Sequence, residues 1–415
     1  MLSDLGAYAR YVTPWVFNSD HNQASGTLLY GFNNYTGAPS DIQGVPQMQL
    51  SNPFTAANPV APSYGKSLGI YTMLGDSINY FSPNRNRRNS DRFNVSLQRQ
   101  LPASMVLDVT YFFNRTGQLF EATRNINMVD PEIYYTYKEE TLAVMDNPFY
   151  NQFPVEKFPG QLRYQSTVGV TSMAKPFPQY GDINVFDGVK SGSMRYHALQ
   201  IKVQKNYSHG LSLLSGYSYA VEKDQRFFDD IATYNRQFSW QNANNYRHRI
   251  TGAGAWEVPM GKGRTFMANA PPLLDAVLGG WKLSSMVFWR SGNMLGFGTM
   301  LWNGTDPKVS NPGPQQWFNP SVFQKQPNYA KRTNPWDYAG IMGPGQFNID
   351  ASMVKEFHIT EKLRFQLRVD AFNMINNMSW NDPSTSVTDG NFGKSTDQLG
   401  NTFGRRTQLG MRLEF

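Results

Sequence analysis

Residues 403–415 read FGRRTQLGMRLEF. Thr407, Leu409, Met411, Leu413 and Phe415 fall on one parity, and Arg406, Gln408, Gly410, Arg412 and Glu414 on the other. Successive side chains of a strand point to opposite faces, so this is a strand with one apolar and one polar face. It ends on a bulky aromatic residue, where soluble domains ordinarily fray into polar tails. Two settings fit it: the last strand of a half-buried soluble sheet, or the wall of a barrel with lipid on one side and water on the other.

The same period recurs upstream. Leu363, Phe365, Leu367, Val369 and Ala371 oppose Lys362, Arg364, Gln366, Arg368 and Asp370. Alternation predicts strands over 93–101, 106–114, 196–205, 210–220, 247–257, 281–290, 347–357, 362–373 and 405–415. The connections separate the two settings. Those at LPAS (101–104), YSHG (207–210) and TE (360–361) are short, and those over about 115–194, 221–245, 291–345 and 374–404 are long. The connection from 257 to 281 is of medium length, and its PPLLDAVLGG predicts a short helix stopped by Gly279 and Gly280. Short and long alternate, which gathers the long loops at one end. An outer membrane barrel has this form, with short periplasmic turns and long extracellular loops. The expected fold is therefore all-β, an antiparallel transmembrane β-barrel segment of about 9–11 strands. The odd-numbered face of 363–371 is expected to meet lipid and the even-numbered face a lumen.

Residues 91–415 are read as the barrel region. Residues 1–90 are read as further strands, at GAYARYV (6–12) and GTLLYGFNN (26–34), with an outer loop over 34–66. Composition agrees. An apolar content of 40% with a mean hydropathy of −0.50 excludes a transmembrane helix, but not strands that alternate around a polar lumen. Aromatic residues make up 14% of the chain, enough for girdles at two membrane interfaces. The net charge of +7 is dispersed, with no basic cluster pointing to nucleic acid. The absence of cysteine removes disulfides, thiolate nucleophiles and cysteine metal sites together. The opening MLSDLGAYARYVTPWVF lacks the basic, apolar and small-residue segments of a secretory signal, so a chain without its export signal is expected.

No catalytic or cofactor pattern emerges, and no enzyme activity is expected. His21, His197, His209, His248 and His358 are scattered, with neither HExxH nor an i,i+4 pair. GIMGPGQF (340–347) lacks the context of a phosphate loop, and GYSYA is not a nucleophile elbow. Asp229 and Asp230 allow a calcium loop or a solvated acidic pair, with the second favoured. The NPF of DNPF and LSNPF reads as turn chemistry.

With the strands laid out, RNSDRFNVSLQRQLPASMVLDVTYFFNRTG (88–117), YHALQIKVQKNYSHGLSLLSGYSYA (196–220), YRHRITGAGAWEVPMGKGR (246–264), LGGWKLSSMVFWRSG (278–292) and EKLRFQLRVDAFNMINN (361–377) resemble, in the same order, the C-terminal half of the barrel in Oar-like TonB-dependent outer membrane receptors. The resemblance runs from about residue 68 to the end. It implies half of a barrel of about 22 strands, the large plugged class. It implies energised uptake of an unidentified solute in the bacterial outer membrane, with outer membrane lipid, the barrel-assembly machinery and the TonB system as partners. The plug, the TonB-contacting segment and the N-terminal domain of such receptors are not visible, so the chain is expected to be a C-terminal fragment. Gln408, Gly410, Leu413 and Phe415 resemble the terminal signal read by the assembly machinery. Gly410 is expected there to allow close backbone approach or a bend. The alternative is a structural or adhesive surface protein whose long aromatic loops bind matrix or cells; a passive porin fits less well.

Overall fold

A computed structural model describes residues 16–17, 24–25, 71, 74–81, 88–119, 123–154, 157–158, 160–186, 192–360, 363–400 and 402–415. Two compact units divide the chain. One comprises Met1–Asn89, Gly117–Gly192 and Asp229–Gln237, the other Ser90–Thr116, Ser193–Phe228 and Phe238–Phe415. The expected strands at 6–12 and 26–34, the loop over 34–66, Glu361 of the TE turn and Lys362 of the strand after it lie outside the described residues.

The second unit is built on a ten-stranded sheet. Its strands are β1 (Asn89–Leu101), β2 (Met105–Gly117), β3 (Met194–Ser208), β4 (Leu211–Phe227), β5 (Phe238–Asn242), β6 (His248–Glu257), β7 (Trp281–Arg290), β8 (Gln346–His358), β9 (Arg364–Phe372) and β10 (Arg406–Glu414). Each long strand pairs with the next in sequence, from β1 to β10, and β5 pairs beside β6 on the far end of β4. Every strand predicted by alternation is present, most within a few residues of the expected bounds, while the strand expected over 210–220 runs on to Phe227. The strand β5 falls in the stretch 221–245 expected to be loop. Its five residues are too short for a clear period, and it exists because β4 runs past β6 and offers a partner. Phe227 and Phe238 close that pairing, their rings stacked at 4.3 Å.

Parity holds across the whole sheet. Leu409, Met411 and Leu413 sit opposite Val369, Leu367 and Phe365. Val287 and Trp289 oppose Ile349 and Phe347. Leu199, Ile201 and Val203 lie between Tyr111, Val109 and Leu107 on one side and Tyr219, Tyr217 and Ser215 on the other. A slip of one residue would exchange the two faces of a strand; the register of β3 against β4 shifts only between Lys205 and Ser208, beside the hairpin turn.

The short turns have the geometry their residues favour. His209 and Gly210 both adopt positive φ, 52° and 75°, as a two-residue hairpin loop requires. The helix Pro272–Leu278 forms where expected and stops at Gly279, whose N–H donates to Asp275 O at 2.9 Å. The long connection from 291 to 345 departs from the picture of an open loop. Leu295, Phe297, Met300, Phe318, Val322, Phe323, Tyr338 and Ile341 form a buried cluster of their own. Buried Asn334 holds the strand-free backbone in place, accepting from Met300 N at 3.0 Å and donating to Gly298 O at 2.8 Å. The stem of this loop is pinched where Gly292 passes Gly343, so closely that a Cβ on Gly292 would lie 1.6 Å from the Gly343 carbonyl oxygen.

The first unit corrects a second expectation. The stretch 115–194, read as loop, contributes the helix Pro131–Tyr137 and two strands of a small three-stranded sheet. In that sheet Ile78–Phe81 pairs in parallel with Ile183–Phe186, so the chain is not antiparallel throughout. Buried Asn127 clamps the returning chain, with Nδ2 donating to Phe177 O and Gly181 O at 2.9 and 2.7 Å. In DNPF, Asn147 Oδ1 accepts from Phe149 N at 2.9 Å, the expected turn chemistry. Asp229 caps the short helix Asp230–Asn235 through Ala232 N at 2.8 Å, and Asp230 accepts the Tyr135 hydroxyl at 2.7 Å. The acidic pair is thus engaged in structure. Burial, and then the hydrogen bond to Asp230, hold the Tyr135 hydroxyl well above the usual phenol range.

Two outcomes are expected. Gly292→Ala should destabilise the second unit by about 1–3 kcal/mol, because backbone must move to admit the methyl group. Gly296→Ala, with nothing within 4 Å of the added carbon, should be close to neutral. Urea unfolding in detergent micelles, comparing midpoints, checks the pair. In the first unit, burial raises the Asp76 carboxyl from 3.8 to about 6, against a backbone hydrogen bond from Gln161 that lowers it. A raised pKa in the folded state means stability is full below the unfolded value and is lost as pH rises through about 6. Hydrogen exchange over 160–164, corrected for intrinsic rate, should therefore show more frequent opening at pH 7 than at pH 4. Asp76→Asn should remove that dependence.

Candidate functional site: the two faces of the sheet

The polar face is laced across strands. Ser96 and Thr110 hydroxyls lie 2.8 Å apart, and Gln98 Nε2 donates to Asp108 at 3.2 Å. Arg368 Nε donates to both oxygens of Asp370, at 2.8 and 2.9 Å. Asn348 Nδ2 donates to Asp350 at 2.9 Å, and Asp350 also accepts Asn373 N at 2.8 Å. Two hollows, of about 690 and 650 Å³, open on this face. The first is lined from Gln204 on β3 to Arg368 on β9. Five strand spacings would separate those positions by roughly 24 Å in a flat sheet. Their sharing one hollow makes the polar face the concave one.

The apolar face is exposed and zoned. Toward the long-loop end, Phe93, Phe113 and His197 form a row with ring centroids 5.1 and 4.9 Å apart. The Tyr111 hydroxyl and His197 Nδ1 hydrogen-bond at 2.7 Å, and Tyr217 and His248 Nδ1 do so at 2.9 Å. Tyr219 and Trp289 flank His248. Toward the short-turn end stand Trp256, Trp281, and Phe357 against Phe365. Aliphatic residues fill the band between, including Val109, Ile201, Val287, Ile349 and Val369. On β7 the two zones are marked by Trp281 and Trp289. That separation is roughly 26 Å of strand, or about 20 Å at the usual barrel tilt, close to the apolar height of a membrane barrel.

Charged residues interrupt the apolar parity near the strand ends, among them Lys205, opposite Met105 and Leu213, and Lys355. Lys355 lies on this face opposite Leu367 and Trp281, yet it is only 3% exposed. Its ammonium donates to the Gly279 carbonyl and lies 5.1 Å from the Phe357 ring centroid. A lysine that reaches a helix-terminal carbonyl places the short-turn border of the apolar band at its own level. The break in alternation at 355 is visible in the sequence; the carbonyl that receives it is not.

The terminal residues are brought together on an edge. Gln408 and Gly410 sit opposite Asp370 and Arg368, and Leu413 opposite Phe365. Phe415 is 96% exposed, and Leu409 and Met411 are 60% and 66% exposed. The β9 side of Gly410 leaves space. A Cβ there would meet Arg368 no closer than 3.8 Å, so pairing with β9 demands neither close approach nor a bend. Among the described residues, β1 and β10 end the sheet and do not pair with each other.

Of the histidines expected to be structural, His197 and His248 bond to tyrosines on the apolar face, and His209 makes the hairpin turn. Among the described residues no group of His, Asp or Glu is arranged to hold a metal ion, and no helix is long and apolar enough to cross a membrane.

An up-and-down antiparallel sheet, apolar and aromatic-banded outside and polar and concave inside, defines the wall of a membrane β-barrel. The outer membrane beta barrel domain family matches residues 6–408, and the chain belongs to it. It is a protein of the outer membrane. In such barrels the outward face meets lipid, which assigns the two faces. No curated protein matches the chain. Among solved structures, the chain is similar to FpvAI in its complex with pyocin S2, at 10% identity and a TM-score of 0.35, over 80% of this chain and 28% of that one. It is similar to the ferripyoverdine receptor of the outer membrane of Pseudomonas aeruginosa, at 10% identity and 0.35, over 79% and 27%. It is similar to the outer membrane transporter YddB from Escherichia coli, at 7% identity and 0.35, over 82% and 35%. The chain thus spans about a third or less of the length of each.

The face assignment predicts a contrast between neighbours on β7. Val287→Arg, in the middle of the apolar band, should cost about 2–4 kcal/mol of folding free energy in bilayers. Met286→Arg, on the concave face opposite Asp350, should cost little. Leu367→Arg, level with Lys355, should cost less than Val287→Arg. Equal folding yields for the two β7 variants would contradict the assignment.

Proposed function

We propose that this chain supplies part of the wall of an energised uptake receptor of the outer membrane, with residues 91–415 as its barrel region. The carrying observation is the open ten-stranded sheet with a lipid-type convex face and a polar concave face, in a member of the outer membrane barrel family. Unpaired strand edges are not tolerated in hydrocarbon, so β1 and β10 must find further strands. A barrel of about 22 strands, as the Oar-like resemblance implies, encloses a lumen wide enough to need a plug. The plug and the TonB-contacting segment would then belong to a longer polypeptide, and the solute would pass along the concave face unchanged, with no catalytic step.

The test is made in the producing bacterium. Uptake of a panel of scarce solutes is compared in the parent, in a strain deleted for this gene, and in one whose TonB system is disabled. A solute lost equally in both mutants supports the receptor. Full uptake in the gene deletion, together with lost attachment to polymer or cells, would favour an adhesive role. That second reading is supported by the packed aromatic core of 295–341, which makes the loop a folded surface.

We assign Gln408, Gly410, Leu413 and Phe415 to recognition by the barrel-assembly machinery. Phe415 touches too little to matter for packing, so its deletion should leave the thermal stability of the folded protein nearly unchanged. It should lower the outer membrane level while leaving synthesis and export intact. Immunoblots of fractionated membranes, with heat-modifiability of the inserted fraction, separate these effects. Unchanged abundance would reduce GMRLEF to an ordinary last strand.

A further inference from the structure

The outer end of the concave face holds an arrangement that folding alone does not favour. Arg249 of β6 and Arg290 of β7 are directly opposite each other in register, both on the polar parity. Directly opposed residues have Cβ atoms about 5 Å apart, and like charges there repel. Neither arginine forms an ion pair among the described residues.

Several acids of the neighbouring elements are turned to amides instead. Asn293 stands between Arg290 and Asp382, accepting from the guanidinium at 3.3 Å and donating to the carboxylate at 2.7 Å. Asn242 stands in the same way between Arg247, at 2.9 Å, and Asp337, at 3.2 Å. Glu222 on β4 takes the amide of Asn245 at 2.9 Å. Asp350 on β8 takes Asn348 and the backbone of Asn373. Neutral amides thus stand between Arg290 and Asp382 and between Arg247 and Asp337.

The guanidinium planes are also held. Arg249 lies over Phe288 at 5.6 Å and Arg290 over Tyr246 at 5.2 Å, with Arg290 Nε donating to Gln346 at 3.2 Å. Arg249 and Lys202 line the hollow of about 650 Å³, together with Thr251, Phe288, Asn348 and Asp350, and Lys202 is directly opposite Asp108.

We propose that Arg249 and Arg290, with Lys202 deeper in the hollow, form a receptor for an oxyanion group carried by the solute: a carboxylate, phosphate or sulfate. Planar guanidinium forks match such groups bidentately, and a pair already stripped of carboxylate partners binds one without first breaking an ion pair. The repulsion between the two cations is relieved when the anion arrives. The inference rests on the uptake reading, because it needs the concave face to be the aqueous one.

The experiment is arginine-selective modification of the whole chain, folded in detergent micelles, with phenylglyoxal. Each site is quantified by mass spectrometry. The probes are citrate, inorganic phosphate and sulfate, with maltose as a neutral control and Arg412, paired to Glu414, as the internal reference. The expected result is that at least one anion slows modification of Arg249 and Arg290 about tenfold at ten times its Kd. Maltose should protect neither, and Arg412 should be unaffected. R249Q should abolish protection at Arg290, while R249K, which keeps the charge but loses the fork, should weaken it. Reactive arginines that no anion protects would overturn the anion site and leave the uptake reading standing. Arginines shielded from aqueous reagent, with the apolar face reactive in their place, would overturn the face assignment and both readings with it.

Discussion

Backbone hydrogen bonding in hydrocarbon is the constraint on which the rest depends. A strand facing lipid has no water to satisfy its N–H and C=O groups, so each must find them in its neighbours. That forces an unbroken ladder, and an unbroken ladder forces register. Once Leu367 is fixed opposite Met411, the placing of Arg368 opposite Gly410 and of Gln366 opposite Arg412 follows. The same logic propagates through seven further pairings to β1. One apolar and one polar face emerge from local alternation and one global rule, without any core in the usual sense. The largest fully buried side chains of the second unit, Phe297, Phe318, Leu295 and Met300, all lie in a loop.

The loops solve a different problem. Long connections carry backbone groups without a ladder, and those left unsatisfied when buried destabilise the fold. Buried asparagines serve this need repeatedly. Asn127, Asn147 and Asn334 each present an amide to backbone carbonyls that no strand satisfies. Asn373 does the same just beyond β9, donating to Asn377 O and Phe403 O. An asparagine offers two donors and an acceptor in a compact plane, so one residue can tie two or three chain segments. The amide density that looks like loop composition in the sequence is the scaffold of those loops.

This explains which parts of the architecture were legible. The long strands are independently readable because lipid and water impose opposite demands at every second residue. The strand β5 escaped detection because five residues carry no reliable period, and only the overrun of β4 creates its partner. The parallel pair Ile78–Phe81 with Ile183–Phe186 joins residues far apart in sequence, and no local pattern announces it. At the candidate site, the terminal motif was readable as a motif, while pairing with β9 alone gives no reason for a glycine at 410. Arg249 and Arg290 were unremarkable in the sequence. Their opposition depends on the exact register of β6 against β7, and their lack of acidic partners on side-chain choices made in four other segments.

Lys355 and the arginine pair show how the same kind of charge is treated at the two borders of the sheet. On the apolar face, a cation near the short-turn end is neutralised locally, by a carbonyl at the end of the helix Pro272–Leu278 and by the Phe357 ring. On the polar face, at the long-loop end, Asn293 stands between Arg290 and Asp382, and neither Arg249 nor Arg290 forms an ion pair among the described residues. The first arrangement is what stability alone would select, because a charge beside lipid must be satisfied where it stands. The second is not, because an acid in place of Asn293 would meet Arg290 directly and would offset the repulsion of the pair. A fold without that acid keeps positive potential at the mouth of its concave face, and such a potential raises the local concentration of anions before any specific contact forms. The difference between the two borders is therefore a difference in what each must do: one holds the wall in the membrane, the other remains open to what arrives from outside.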